Sequence, residues 1–460
     1  MHLFIPDSNM QLPRTLVIAA AVAFIASLAL SFHWQFRPRV DAGAYDAIGW
    51  NLARGYGYVE NEVNRSTPEL DDAIVRVGPG YEFFLAGIYK LVGHRVPVVW
   101  ILQAALHASA MLLVYKLTLL LFPILDKRIG VLASLLFGFS PDLIFINSML
   151  LTEGLFLFLM LAALYAIFLV LGNTLPKLEG QVLGWLLAAG ILWALAVLTR
   201  PIALIPLLVL AGVLLWQQKW RQALVFFLPT LILVGAWSGT MTARYNHFIL
   251  TTTAGGLDLW VGNNLGATGG FVKTPEIQQF RDANHSVVVD EVGKQKYVEF
   301  IKNYPAAFLE LQVRKAALYV SVIRPTGLWL DLQFFPVDRL LLLGVSAIWT
   351  LGLFLVGCAG LVLMMIEHFE DIRARLFVAI ALLQPLMVIP IIVETRYRYA
   401  LFPFLAIGVA YLIAERLRGI SARVFWNTLL WPAVVITVLT FYDLSRNIAE
   451  IISKVHNVLL

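Results

Sequence analysis

The sequence predicts an all-α polytopic membrane protein with about eleven transmembrane helices, a small outer insertion of α or α/β character, and surface-lying helices in the first outer loop. Of 460 residues, 60% are hydrophobic and 14% charged, which is more apolar surface than a soluble fold buries. Apolar stretches close to the ~20 residues needed to cross a hydrocarbon core of roughly 30 Å recur from Arg14 to Asp443. The loops between them alternate in charge, and that alternation sets the topology.

In chain order the expected spans are Arg14 to Phe36, Pro97 to Phe122, Ile129 to Met149, Leu150 to Leu171, Val182 to Leu198, Ile202 to Trp216, Ala223 to Gly239, Arg339 to Ile366, Leu376 to Val393, Tyr399 to Ala414 and Val424 to Tyr442. The first is read as a retained anchor: Ala29-Leu30-Ser31 loosely resembles a cleavage site, but the apolar run exceeds a signal core. Asp126-Lys127-Arg128, Lys219 to Arg221, Arg373 with Arg375, and Arg416 to Arg423 mark the cytoplasmic side. The chain is thus expected in a cell inner (plasma) membrane, multi-pass, with its amino terminus inside. Residues 37–96 and 240–338 then face the periplasm or exterior, and function belongs in such outer loops. The corresponding division is 1–239, a transmembrane catalytic module; 240–338, an extracytoplasmic domain; and 339–460, the last transmembrane helices.

In the first outer segment Asp41, Tyr45, Ile48 and Leu52 share one helical face, the pattern of a helix lying on the membrane surface. It stops at Gly55-Tyr56-Gly57, and a second short helix, Tyr81 to Leu91, follows Gly78-Pro79-Gly80. In the second outer segment, Thr251 to Gly270 reads as turns and short strands, and Asp290 to Val322 as helix.

Several function classes are excluded. The net charge of +5 comes from cations scattered at the ends of apolar stretches, not from a phosphate-tracking patch, so no nucleic-acid partner is expected. The single cysteine, Cys358, permits no intramolecular disulfide and no Cys-based zinc site. There is no Walker A loop and no G-x-G-x-x-G after a strand, which argues against ATP hydrolysis and against a Rossmann domain for nucleotide sugars.

The chemistry-bearing candidates collect on the outer side. Asp41 follows the first span directly, and a carboxylate there serves either as a general base or as an N-cap. Glu153 lies in an outer turn between two spans, where it is either functional or a complement to the positive end of the next helix. Arg76, Arg200, Arg396 and Arg398 end apolar segments on that same side, as phosphate ligands or as snorkelling cations. Together they describe a site in which arginines hold a lipid phosphate while a carboxylate takes a proton from an incoming hydroxyl. A sugar carried on a polyprenyl phosphate fits it, with the arginines neutralising the leaving group. Asp46 and Asp71-Asp72 are the acidic residues available to a divalent metal, but an acidic pair in a polar loop is ordinarily solvated, so no metal ligand and no cofactor is expected.

Stretches across nearly the whole chain resemble the GT-C superfamily of polytopic glycosyltransferases, in particular bacterial relatives of protein O-mannosyltransferases and of the lipid A aminoarabinose transferase. They are Asp41 with Tyr45, Asn51-Leu52-Ala53-Arg54-Gly55-Tyr56-Gly57, Arg76-Val77-Gly78-Pro79-Gly80-Tyr81-Glu82-Phe83-Phe84-Leu85, Leu151-Thr152-Glu153, Leu198-Thr199-Arg200-Pro201, Gly262-Asn263-Asn264 with Ala267-Thr268-Gly269, and Glu394-Thr395-Arg396-Tyr397-Arg398. The resemblance implies a GT-C fold, a catalytic Asp41, an acidic partner in Glu153, and donor-phosphate contacts from Arg76, Arg200, Arg396, Tyr397 and Arg398. It further implies substrate contacts from Tyr45, Tyr81, Asn263 and Asn264. Its partners would be a polyprenyl-phosphate-linked sugar, a glycan, lipid or protein acceptor, and membrane lipids; its reaction would be a metal-independent inverting transfer in cell-envelope glycan biosynthesis. Two departures argue against either named activity: Ala42 follows Asp41 where many O-mannosyltransferases have an Asp-Glu pair, and Arg76-Val77-Gly78-Pro79 stands where aminoarabinose transferases carry a Lys-Pro-Pro-type sequence. A lipid-linked oligosaccharide flippase and a membrane scaffold are the competing classes. The long outer segment and the lack of a visible internal repeat favour an enzyme over a transporter.

Overall fold

The structure, a computed structural model, describes residues 12–171, 179–321 and 335–459. All regular elements among them are helices. They are α1 (Arg14–Trp34), α2 (Asp41–Ala53), α3 (Pro79–Val92), α4 (Val96–Leu121), α5 (Lys127–Gly138), α6 (Pro141–Ile146), α7 (Glu153–Leu171), α8 (Glu179–Thr199), α9 (Leu204–Trp216), α10 (Trp220–Tyr245), α11 (Ala254–Gly262), α12 (Pro275–Ala283), α13 (Ser286–Asn303), α14 (Pro305–Val320), α15 (Pro336–Glu367), α16 (Ile372–Val388), α17 (Phe402–Leu417) and α18 (Ala422–Leu459). Helices satisfy their own backbone groups, the condition for crossing lipid.

Eight of these, α1, α4, α7, α8, α10, α15, α17 with the 3-10 turn before it, and α18, are long and apolar enough to span a bilayer. The other three expected crossings are shorter. Ile129 to Met149 divides into α5, of 12 residues, and α6, of 6, because Pro141 has no N–H to continue the ladder and its ring clashes with the preceding turn. α9 holds 13 residues and α16 holds 17, the latter interrupted by Pro385. At 1.5 Å per residue, a 13-residue helix covers only about 20 Å.

The chain forms two compact units: Met1–Gly138, Phe145–Thr253 and Glu370–Phe377 make one, and Phe139–Ile144, Ala254–Phe369 and Val378–Leu460 the other. In the first unit α4 packs against α1, α5 and α7, and α8 against α7, α10 and α3. α2 does not offer its apolar side to the bilayer. Tyr45 and Ile48 are buried because α2 packs on α3, and Gly49 lets the two helices close: a Cβ there would stand 2.7 Å from that of Leu85.

In the second unit α15 packs against α17 and α18. Lipid supplies no hydrophobic drive between helices, so close approach at small residues does this work. Gly360 lies against Gly408, where an added Cβ would meet the Gly408 carbonyl oxygen at 1.9 Å.

The stretch Thr251 to Gly270, expected as turns and short strands, contains α11. Its glycines serve packing: Gly256 and Gly293 let α11 and α13 touch backbone to backbone, and Asp290 on α13 accepts the Gly256 amide at 2.7 Å. The helix expected from Asp290 is present as α13 and α14, while its end at Val322 lies outside the described residues, as do residues 322–334 of the outer segment.

Candidate active site

α1 and α2 are joined by the connector 35–40, in which Gln35 and Val40 both have positive φ. Val40, at φ 51° and ψ −122°, occupies the position before the first helical residue. A β-branched side chain is strained there, and such strain persists only where the surroundings enforce it. Asp41 opens α2 from this point, and the cap position falls on Val40.

Facing Asp41 is Arg76, with Nη1 at 3.9 Å from its Oδ1. The other edge of that guanidinium is held by Glu60: Nε donates to Oε2 at 3.0 Å and Nη2 to Oε1 at 2.7 Å. Arg76 is therefore a bridge between two carboxylates, all three half-buried. Asp71 explains why Glu60 sits here. It is buried and accepts from the amides of Glu60, Asn61 and Ala73 and from the Asn64 side chain, at 2.7, 3.0, 2.9 and 2.9 Å. The expectation that Asp71-Asp72 is a solvated pair holds for Asp72 alone. Asn51 of α2 adds a bond from its side chain to the Val59 carbonyl, at 2.9 Å.

Behind Arg76, Glu82 of α3 is fully buried and accepts from the Tyr58 hydroxyl at 3.3 Å. Burial pushes its carboxyl up to about 8 against the opposing pull of its own amide, Tyr58 and Arg76. The Tyr58 hydroxyl is pushed well above the usual phenol range, first by burial and then by Glu82.

Glu153 opens α7, buried, and Arg200 Nη1 meets its Oε1 at 2.9 Å. Two of the motif fragments thus pair through a salt bridge. Two more pair through backbone: Gly78 and Gly80 seat the start of α3 on Leu198-Thr199, and a Cβ at Gly78 would meet the Leu198 oxygen at 2.3 Å. Tyr81 then donates to Gln103 of α4 at 2.5 Å, and Gln103 donates to the carbonyls of Asn147 and Met149, each at 2.8 Å.

Tyr45 and Tyr81, expected as substrate contacts, are both buried. The two rings pack edge to face, 5.6 Å apart, inside the first unit.

In the second unit the fragments again meet. Asn263 is buried, and its amide donates to the carbonyls of Leu259, Pro390 and Ile391 at 2.9, 3.1 and 3.0 Å. Val393 donates to the Gly269 carbonyl at 3.1 Å. Asn264 donates to the Trp260 carbonyl at 2.9 Å and accepts from the Gly266 amide at 2.8 Å. Both asparagines, expected as substrate contacts, bond to backbone in this unit. Arg398 is 1% exposed, gives Nη1 to the Ser321 carbonyl at 2.6 Å, and lies within electrostatic reach of Asp142. It is thus held in the interior of this unit. Arg396 and Tyr397 stay partly exposed, with the guanidinium 5.7 Å from the ring centre.

Three further residues, Glu60, Tyr58 and Lys315, escaped sequence reading, and Glu82, inside a matching stretch, carries no role from the resemblance. Glu60 lies in a polar stretch that looks like solvated loop. Glu82 falls in the first turn of a helix, where an acid ordinarily complements the dipole. Lys315 of α14 is fully buried and donates to Asn263 Oδ1 at 2.7 Å and to the Ile391 carbonyl at 3.0 Å.

Residues 76–242 match the family model described as dolichyl-phosphate-mannose-protein mannosyltransferase. No curated protein matches this chain. Among solved structures, the Archaeoglobus fulgidus oligosaccharyltransferase, in complex with Zn and sulfate, superposes over 93% of this chain at TM-score 0.52 and 15% identity. The chain has the GT-C fold. It spans about half the length of the structure it matches, 52% of that chain. ArnT from Cupriavidus metallidurans bound to undecaprenyl phosphate is also similar, at TM-score 0.40 and 14% identity over 88% of this chain and 79% of the other. The match to the mannosyltransferase model begins at Arg76, so it takes in the seat of α3 and the Glu153–Arg200 pair.

Proposed function

We propose that this chain transfers a sugar from a polyprenyl-phosphate donor to a hydroxyl of an extracytoplasmic glycan, glycolipid or protein, with inversion at the anomeric carbon. The single observation that carries the reading is the Asp41–Arg76–Glu60 array at the start of α2, just beyond the first span of a GT-C fold. The dolichyl-phosphate-mannose family match supports a lipid-phosphate donor.

In the reaction Asp41 takes the proton of the acceptor hydroxyl as that oxygen attacks the anomeric carbon. The bond from carbon to phosphate oxygen breaks, and polyprenyl phosphate leaves with its electron pair. A general base at the nucleophile and cations at the leaving phosphate are the two contributions such a displacement needs. The Glu153–Arg200 pair supports the geometry of the first unit. A phosphate-binding role for Arg396, with Tyr397 at its side, is part of the proposal and is tested separately by Arg396→Gln.

The proposal places the chain in the inner membrane with Asp41 outside, and holds the transfer to be metal-independent. The experiment is transfer from a panel of undecaprenyl-phosphate and dolichyl-phosphate sugars by native protein and Asp41→Asn at matched expression, with and without a chelator. Native transfer that survives chelation and is lost in Asp41→Asn, with donor binding kept, supports the reading. Full activity in Asp41→Asn removes the base. Donor translocation across the bilayer without transfer favours the transporter class.

A further inference from the structure

We infer that Glu60 is a positioning residue that keeps Asp41 an effective base by holding and neutralising Arg76. The inference rests on the reading of Asp41 as the base and adds a residue that the family resemblance did not mark.

Glu60 is fixed in the outer loop through both of its backbone polar groups. Its amide is fixed by buried Asp71 at 2.7 Å, and its carbonyl by Asn51 of the base-bearing helix at 3.2 Å. With the backbone committed, its carboxylate takes the Nε–Nη2 edge of Arg76 in a paired contact. Nη1 is left directed at Asp41, at 3.9 Å.

A lone guanidinium so close to a carboxylate favours its charged form and weakens it as a proton acceptor. A second carboxylate on the far edge cancels that charge while leaving the guanidinium in place. The other groups that bear on the array are Tyr45, one turn along α2, and Glu82 behind Arg76. Arg37 and Arg39 precede Asp41 in sequence. Glu82 is held neutral by burial and so does not take the place of Glu60.

The test reads the protonation of Asp41 without needing the natural acceptor. Full-length protein in detergent is labelled with a carbodiimide and glycine ethyl ester across pH 4 to 8, and modification of Asp41 is followed by mass spectrometry. Glu60→Gln, which keeps shape and removes charge, should shift the Asp41 midpoint down by about one pH unit, and Arg76→Gln should shift it up. The double variant should fall between the two single variants, since the charge of Glu60 is felt at Asp41 with or without Arg76. Midpoints identical in native protein and Glu60→Gln overturn the inference, as does a double variant outside the range set by the two single variants. If Glu60→Gln does not fold, Glu60→Asp, whose shorter arm loosens the pair, should give a smaller shift in the same direction; no shift overturns the inference. Loss of transfer in Asp41→Asn with an unmoved midpoint in Glu60→Gln removes this inference alone, whereas full transfer by Asp41→Asn removes the base and this inference with it.

Discussion

Lys315 gives its ammonium to the Asn263 amide oxygen at 2.7 Å, and both side chains are wholly enclosed. Its remaining partners are the neutral carbonyls of Pro390 and Ile391. Burial alone pushes the lysine down to about 7. A lowered folded value means that the unfolded chain keeps the proton longer. This contribution to stability is therefore complete above the ordinary lysine value near 10.5 and is lost as pH falls through about 7. Thermal unfolding midpoints in detergent should rise from pH 7 to 10 in native protein relative to Lys315→Met. Parallel curves for the two would refute the assignment.

Glu82 has the opposite sign. Its folded value, about 8, lies above the ordinary carboxyl value of 4.5. The stabilising contribution is complete below 4.5 and is lost as pH rises through about 8. Glu82→Gln mimics the neutral acid and should flatten the decline between pH 5 and 8, leaving a more stable protein at pH 9. A variant less stable than native at pH 9 would contradict the neutral reading.

The seat of α3 on the Leu198-Thr199 turn admits no side chain. At Gly80 a Cβ would stand 2.6 Å from Thr199 Oγ1 and 2.7 Å from its amide nitrogen. Gly78→Ala and Gly80→Ala should each cost about 1–3 kcal/mol, the range for overpacking against backbone, with Gly87→Ala, which meets open space, as the neutral control. Unfolding in detergent checks the order; equal midpoints for all three would mean that the seat is looser than described.

Val40 at φ 51° costs on the order of 1–3 kcal/mol as a β-branched residue with positive φ. Val40→Gly should raise the unfolding midpoint, because the relief exceeds the entropy that glycine adds to the unfolded chain, roughly 0.5–1 kcal/mol. If the strain aims Asp41, transfer should fall as stability rises. A lower midpoint would show that the connector is relaxed with valine in place.

The membrane class and eight of the expected crossings were legible because hydropathy is a local property of about 20 residues. The three short helices were not, since Pro141, Pro201 and Pro385 act on backbone hydrogen bonds that an average over a window ignores. Asp41 and Arg76 were each legible as charges on the outer side, a signal carried by sequence position, but their contact was not. Glu60 was not found, because its importance depends on Asp71 drawing the loop back on itself, a contact between residues 11 apart with no periodicity. The motifs also marked Tyr45, Tyr81 and Asn263, which are buried, and Asn264, which is partly buried and bonded to nearby backbone.

Asp71 closes the outer loop into a small ring whose clasp is one carboxylate. The excursion within the ring, from Glu62 to Leu70, contributes the Asn64 side chain and the Pro68 carbonyl, which accepts from Tyr245 at 3.2 Å, and is otherwise largely turned to water. Lengthening such an excursion twofold costs only about 0.6 kcal/mol in closure entropy. Its length and its outward residues can therefore change at little energetic cost while the charges at its base keep their places.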